Sequence, residues 1–141
     1  MKKSTMELLE LLKSSRSISD FVDQTGDELI QLKPLHQYLD ELMKEKNLKK
    51  SEVIRQSGID RGYGYDILAG KKLPSRDKVL AICFAMNLSE DEVQKLLKYT
   101  GYPSLYARIE RESIILFALQ HRLSLTDTNE LLYEMNYEDY L

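Results

Sequence analysis

The chain has 141 residues, which is enough for one ordinary domain or for two small helical units that share a core. Its composition, 43% hydrophobic and 30% charged with six glycines and three prolines, favours packed amphipathic helices and argues against strands or disorder. The net charge is −3, but the segment from Lys44 to Lys78 carries ten basic and five acidic residues, so this segment has a charge of +5 and the rest −8. A basic segment in an acidic chain suits a face that meets phosphates, although a lysine-rich surface exposed only to water has the same charge.

Several classes of protein do not fit this sequence. The apolar runs are much shorter than the roughly 20 residues that span a bilayer, and acidic residues interrupt the N-terminal region where a signal peptide would be hydrophobic. We therefore expect no membrane segment and a cytoplasmic location. One cysteine, Cys83, and two histidines cannot assemble a zinc site, so we expect no metal and no cofactor. The sequence lacks a glycine-rich phosphate loop, a nucleophile elbow and a paired-carboxylate motif, so we expect no enzyme.

The first predicted elements form a short N-terminal region. A capping pattern at Ser4 starts a helix that should run to about Lys13, and apolar residues at helical spacing continue around Gly26. We interpret residues 1–33 as an N-terminal helical appendage. Pro34 then opens the next helix, because its missing N–H costs nothing at the first helical position.

Four more helices are predicted before residue 100, and capping residues mark their ends. Their expected bounds are 50–57, 60–69, 75–86 and 90–99. Gly58 and Gly70 stand where the C-terminus of a helix needs a residue that tolerates positive φ. Asp60 and Ser75 can cap the helices that follow them. Together with the helix that begins at Pro34, these elements predict five helices with tight turns in a domain at 34–102.

The C-terminal third repeats the pattern of the region before it. Residues 76–102 align with 111–137 at a constant offset of 35 residues. We interpret residues 103–141 as a C-terminal helical hairpin packed on the core, and a chance likeness of two amphipathic hairpins is the alternative to a true duplication. This third of the chain is rich in tyrosine, which either packs between the hairpins or forms a protein-binding surface.

The stretch from Leu48 to Ser75 resembles the lambda-repressor-like, or XRE, family of helix-turn-helix proteins without a gap. The residues that carry the resemblance are core aliphatics and turn glycines, namely Leu48, Val53, Gly58, Ile59, Ile67, Gly70 and Pro74. The resemblance continues through residues 80–89 and covers about 35–99. It implies an all-α fold, a five-helix lambda-repressor-like domain, to which this chain adds the appendage and the extra hairpin.

The resemblance also implies a function, the regulation of transcription by binding double-stranded DNA. In this family the recognition helix, here near Asp60–Ala69, meets base edges, while the start of the second helix and the loop after the third contact phosphates. Carried over by position, the base-side candidates are Arg61, Gly62, Tyr63, Tyr65 and Asp66. The phosphate-side candidates are Lys49, Lys50, Lys71, Lys72 and Arg76. Arg61 is the strongest of them because a guanidinium fits the guanine edge bidentately. A homodimer would suit the family.

Some of these positions depart from the family pattern. Lys50 stands where the family usually has Gln, and Asp66 brings negative charge to the expected DNA face. Gly62 and Gly64 each weaken the recognition helix by about 0.5–1 kcal/mol relative to Ala, so that helix is expected to be short or frayed, with one of its two tyrosines packed on the core. The alternative function is therefore a protein-interaction adaptor, or the partner of a toxin or signalling enzyme, that keeps the fold but has lost DNA readout. A protein partner that binds through the C-terminal region is a separate expectation.

Overall fold

The computed structural model describes residues 2–141, and in that part of the chain all regular structure is helical. The helices are α1 (Thr5–Ser14), α2 (Ile18–Thr25), α3 (Leu35–Glu45), α4 (Lys50–Ser57), α5 (Arg61–Leu68), α6 (Arg76–Ala85), α7 (Glu90–Tyr99), α8 (Glu110–Gln120) and α9 (Leu125–Glu134), with a 3-10 turn at Gly26–Glu28. The prediction of an all-α fold is confirmed. None of the helices between residues 2 and 141 is long and apolar enough to cross a membrane.

The chain divides into two compact units, and the division lies between Gln31 and Leu32. The first unit contains α1, α2 and the 3-10 turn. Ser4 caps α1 in a reciprocal capping box, in which its hydroxyl accepts from the amide of Glu7. Local capping of this kind is what the sequence of the region predicts.

The second unit, from Leu32 onward, has one apolar core, and α6 lies at its centre. Five successive residues of α6 from Val79 to Cys83 are buried, because α4 packs along this helix and α9 contacts it as well. A helix that is apolar on all sides needs neighbours on all sides. α3 contributes the narrower stripe of an ordinary surface helix, with Leu35, Leu39 and Met43 buried at a spacing of four.

The two C-terminal hairpins, α6–α7 and α8–α9, have the same backbone pattern at the offset of 35 residues. Left-handed residues follow the first helix of each hairpin at Asn87 and Arg122, and the second helix at Gly101 and Asn136. Seryl caps begin α7 and α9 at equivalent positions. The likeness found in the sequence therefore extends to the backbone conformation of both turns.

Side-chain amides hold the segment after each hairpin in the same way. Gln94 accepts from the amide of Leu105 and donates to its carbonyl, both at 2.8 Å. Asn129, the equivalent residue of α9, accepts from the amide of Leu141 at 2.9 Å and donates to its carbonyl at 3.3 Å. The second hairpin packs on the first, with α8 against α7 and α9 against α6.

Candidate nucleic-acid interface

The turn between α4 and α5 is built by three consecutive residues. Gly58 adopts a left-handed conformation with φ of 72° and ends α4. Ile59, 9% exposed, points into the core, and its amide donates to the hydroxyl of Ser57 at 3.3 Å. The same hydroxyl donates to the carbonyl of Ile54 at 2.7 Å. The glycine reverses the chain and the isoleucine anchors it, so α5 is fixed across α4 as a helix-turn-helix.

A close contact between α4 and α5 explains why glycine stands inside the second of these helices. A Cβ atom at Gly64 would approach Cγ2 of Ile54 to 2.7 Å. The side chain of Ile54 thus fills the space of an aliphatic residue at position 64. α5 is a regular helix of eight residues from Arg61 to Leu68, one residue shorter at each end than predicted, and Asp60 caps it by accepting from the amide of Tyr63 at 3.2 Å. α5 is short, as expected, and its contact with Ile54 accounts for the glycine at position 64.

An open cleft of about 390 Å³ lies between α4 and α5 on the side away from the core. It is lined by Ser51, Glu52, Ile54, Arg55, Ile59, Arg61 and Tyr65. The guanidinium of Arg61 lies 5.9 Å from the ring centroid of Tyr65. Arg55 donates to Glu52 at 2.6 Å. The cleft therefore presents two guanidinium groups and an aromatic ring, the groups that bind base edges and phosphates.

The base-side candidates occupy different environments. Arg61 and Gly62 are exposed, and Tyr65 is 37% exposed at the cleft. Tyr63 is half-buried and packs against the core. Of the two tyrosines of α5, it is therefore Tyr63 that packs on the core, as was expected for one of them. Asp66 is half-buried, and its backbone carbonyl, rather than its carboxylate, makes the local hydrogen bonds.

Four of the phosphate-side candidates are exposed lysines at two positions in the fold. Lys49 and Lys50 begin α4, and the ammonium of Lys50 lies 3.8 Å from a carboxylate oxygen of Asp40. Lys71 and Lys72 follow α5, and their amides donate to the carbonyl of Asp66 at 2.9 and 3.3 Å. These amide bonds fix the backbone of the loop, and both lysine side chains are exposed.

Gly70 sets the course of that loop. Its φ is 81°, and a Cβ atom there would approach the ring of His36 to 2.7 Å. With the amide of Gly70 bonded to Ile67 and that of Lys71 to Asp66, the end of α5 is a Schellman motif, as the position of the glycine predicted.

Arg76, the fifth phosphate-side candidate, is engaged inside the protein. Its guanidinium donates to Glu112 at 2.6 Å and to the carbonyls of Pro103 and Ser104 at 3.0 and 3.3 Å. Only 22% of its side chain is exposed. These bonds connect the start of α6 to α8, and they occupy the donors that a phosphate contact would need.

Three residues of the cleft were not among the predicted site residues, namely Ser51, Glu52 and Arg55. They lie on the exposed side of α4, and Ser51 and Arg55 are one helical turn apart. That spacing, together with the two buried neighbours Val53 and Ile54, is the signal by which the sequence alone identifies the outer face of α4.

The described residues contain no group of three or more His, Cys, Asp or Glu side chains that could hold a metal ion. Cys83 is fully buried, and burial raises the pKa of its thiol to about 12. The thiol is therefore neutral at physiological pH, whereas nucleophilic chemistry needs the thiolate.

Residues 38–99 match the family model described as the Cro/C1-type HTH DNA-binding domain. The match begins in α3 and ends at the last residue of α7, so it includes the cleft and both groups of lysines. The resemblance inferred from the sequence is thereby confirmed. No curated protein and no solved structure matches the chain.

Proposed function

Since residues 38–99 form a Cro/C1-type helix-turn-helix domain, we propose that the protein is a transcriptional regulator of the XRE type that reads duplex DNA with α5. The observation that carries the proposal is the exposed Arg61, at the first turn of α5, beside an open cleft formed with α4. In this class of motif, the first turn of the recognition helix enters the major groove.

Charge supports this choice of face. Residues 44–78 carry +5 in a chain of net charge −3, and two pairs of exposed lysines in that segment flank the helix-turn-helix, at Lys49–Lys50 and at Lys71–Lys72. Phosphates on either side of the groove would meet these two pairs, while Arg61 and Tyr65 meet the bases. Arg76 is left out of the proposed contacts because its guanidinium is paired with Glu112.

DNA binding tests the proposal directly. Fluorescence anisotropy with a duplex from upstream of the gene, at two salt concentrations, would compare the wild type with Arg61→Ala. A bidentate contact to guanine contributes about 1–3 kcal/mol, so Arg61→Ala should reduce the preference for that duplex over a scrambled one by about tenfold or more.

A second variant separates affinity from specificity. The double variant Lys71→Ala/Lys72→Ala should weaken binding to both duplexes alike and lower the slope of log affinity against log salt by about 2. Arg108→Ala is the matched control, since Arg108 is exposed but lies outside the helix-turn-helix, and it should leave both quantities unchanged. A wild type that binds no duplex at low salt would contradict the proposal.

The remaining features of the proposal follow from its DNA target. The proposal includes the cytoplasmic location expected from the sequence, and binding without a cofactor or a catalytic step. Operators are often read by two copies of a helix-turn-helix protein related by a two-fold axis, so we include a homodimer in the proposal.

A second candidate function is an adaptor for another protein. Glu52 favours it, because this carboxylate lies in the cleft beside Arg55 and would oppose phosphates there. Asp66 adds negative charge to the same helix. Recovery of a stoichiometric partner with the tagged protein from native lysate, lost in Arg61→Ala and combined with no affinity for DNA, would establish the adaptor.

A further inference from the structure

One face of α8 is left uncovered by the other helices of the second unit, and Glu110 at the end of this face accepts from the hydroxyl of Tyr137 at 2.7 Å. This face, which we call the α8 face, consists of Glu110, Ser113, Phe117, Gln120 and His121, residues at helical spacings of three and four. Phe117 is 47% exposed, and its ring stacks on that of His121 with the centroids 4.1 Å apart. All other residues from 114 to 119 are buried. Phe117 thus exposes an aromatic ring in the middle of an otherwise buried stretch of α8.

The repeated hairpin supplies a comparison. At the offset of 35 residues, Phe117 and His121 correspond to Ile82 and Met86 of α6, each of which is only 3% exposed. The backbone agrees at this point, because the amide of Met86 donates to Ile82 and that of His121 to Phe117, both at 2.9 Å. α6 has α4 and α9 against it, whereas α8 packs on α7 and α9. In the first hairpin a helix packs against this face, so Ile82 and Met86 are buried. In the second hairpin no helix of residues 32–141 packs there, so Phe117 and His121 are exposed.

The α8 face is also complementary to itself in charge. Glu110 stands at its N-terminal end, and His121 with the exposed Arg122 stands at its C-terminal end. A two-fold axis near the middle of α8 would pair the helix antiparallel with its own copy, placing the acidic end of each against the basic end of the other. The helix dipoles would then also be antiparallel, and Phe117 would lie close to the axis in both copies.

From this geometry we propose that the α8 face is the contact between two copies of this chain, with α8 packed antiparallel on α8. We propose a second copy as the occupant because the acidic end of this face, at Glu110, would meet the basic end of the same face in an antiparallel copy. The equivalent face of α6 is already buried under a helix, so this kind of face packs against helices. This contact rests on the homodimer of the proposed function and names its interface, and it uses none of the residues proposed to face DNA.

Sedimentation velocity of the full chain without DNA, over a wide range of concentration, tests the contact. The wild type should associate to a dimer, and Phe117→Ser should weaken that association by about tenfold or more, since a central aromatic side chain carries much of the affinity of an interface. Tyr133→Ser is the matched control: Tyr133 is 70% exposed on α9, outside the α8 face, so the dimer should be unchanged. Thermal melting would check that both variants are folded.

A charge reversal tests the antiparallel arrangement itself. Glu110→Arg and Arg122→Glu should each weaken the dimer, and the double variant should restore it, which a loss of local structure would not produce. A wild type that stays monomeric, or a dimer that Phe117→Ser does not weaken, would overturn the inference whatever the protein does with DNA. Failure of DNA binding alone would leave the dimer intact, so the two proposals can fail separately.

Discussion

Gly64 of α5 and Ile54 of α4 are in contact with no space for a further carbon atom between them. A Cβ atom at position 64 would lie 2.7 Å from Cγ2 and 3.1 Å from Cγ1 of Ile54. Gly62, two residues earlier in the same helix, has no such neighbour, because a Cβ atom there would meet only a carboxylate oxygen of Asp60, at 3.4 Å. Two glycines of one helix thus stand in opposite environments.

This difference predicts opposite effects of alanine. Gly64→Ala should lower the free energy of unfolding by about 1–2 kcal/mol, because overpacking outweighs the helical preference of Ala over Gly. Gly62→Ala should raise it by about 0.5–1 kcal/mol through that preference alone. Urea denaturation measures the free energy of unfolding of both variants. Equal stabilities for Gly62→Ala and Gly64→Ala would show that α4 and α5 can move apart.

Arg76 is expected to act in stability rather than in DNA binding. Glu112 is 7% exposed, and its carboxylate accepts from Arg76 and from the amide of Tyr106. Arg76→Ala removes the charged partner, so it should destabilise the protein by about 2–4 kcal/mol, less than for a fully buried pair because Arg76 is 22% exposed. Lys71→Ala, at an exposed residue, should change stability by less than about 0.5 kcal/mol. Chemical denaturation of the two variants separates these roles, and an Arg76→Ala protein of wild-type stability would return Arg76 to the phosphate-side candidates.

Glu92 predicts a pH dependence. The ammonium of Lys46, 2.7 Å away, and then the amide of Ser89 lower the pKa of this carboxyl below its usual 4.5. A lowered pKa means that the stabilisation is present above the unfolded value and is lost as the pH falls through the folded value. Glu92→Gln should therefore cost under about 1 kcal/mol at neutral pH and less in acid. Ser89→Ala, which loses the helix cap, should cost about 1 kcal/mol at both. Chemical denaturation of both variants at neutral and at acidic pH measures these costs. A cost of Glu92→Gln that does not change with pH would contradict the stabilising ion pair of Glu92 with Lys46.

Cys83 should be inert in the native protein. Its burial and its pKa of about 12 keep the thiol protonated and away from reagents. A chromogenic disulfide reagent at mildly alkaline pH should react with it only as fast as the protein unfolds, and at the rate of a free thiol in denaturant. Rapid reaction of the native protein would mean that α6 opens locally.

The elements of this fold were predictable because their ends carry local signals. Gly58, Asp60, Gly70 and Ser75 act at the ends of helices as their chemistry requires, and the bounds of α4 and α7 agree with the predicted ones. The candidate DNA-binding site depends on contacts that have no local signature. Nothing near Arg76 in sequence indicates that Glu112 takes its guanidinium, because the two residues meet only when α8 docks on the rest of the fold.

Packing between helices also determines two properties of α5 that its composition alone does not, the role of its glycines and the orientation of its tyrosines. Its glycines predict a weak helix when they are considered alone, and only the position of Ile54 shows that one of them is required. The choice between Tyr63 and Tyr65 was open for the same reason. It depends on which side of α5 faces the core, and the turn at Gly58 and Ile59 sets that orientation.

The position of Arg61 over the ring of Tyr65 has a consequence for how tightly and how selectively α5 can hold a partner. A long side chain that rotates freely loses torsional entropy when it docks, and that loss subtracts from the affinity. A cation–π contact at an exposed site contributes about 0.5–1 kcal/mol, so the ring of Tyr65 favours the rotamers of Arg61 that keep the two groups together. Part of the ordering therefore takes place during folding, and the entropy that Arg61 loses when a partner binds is smaller by that part.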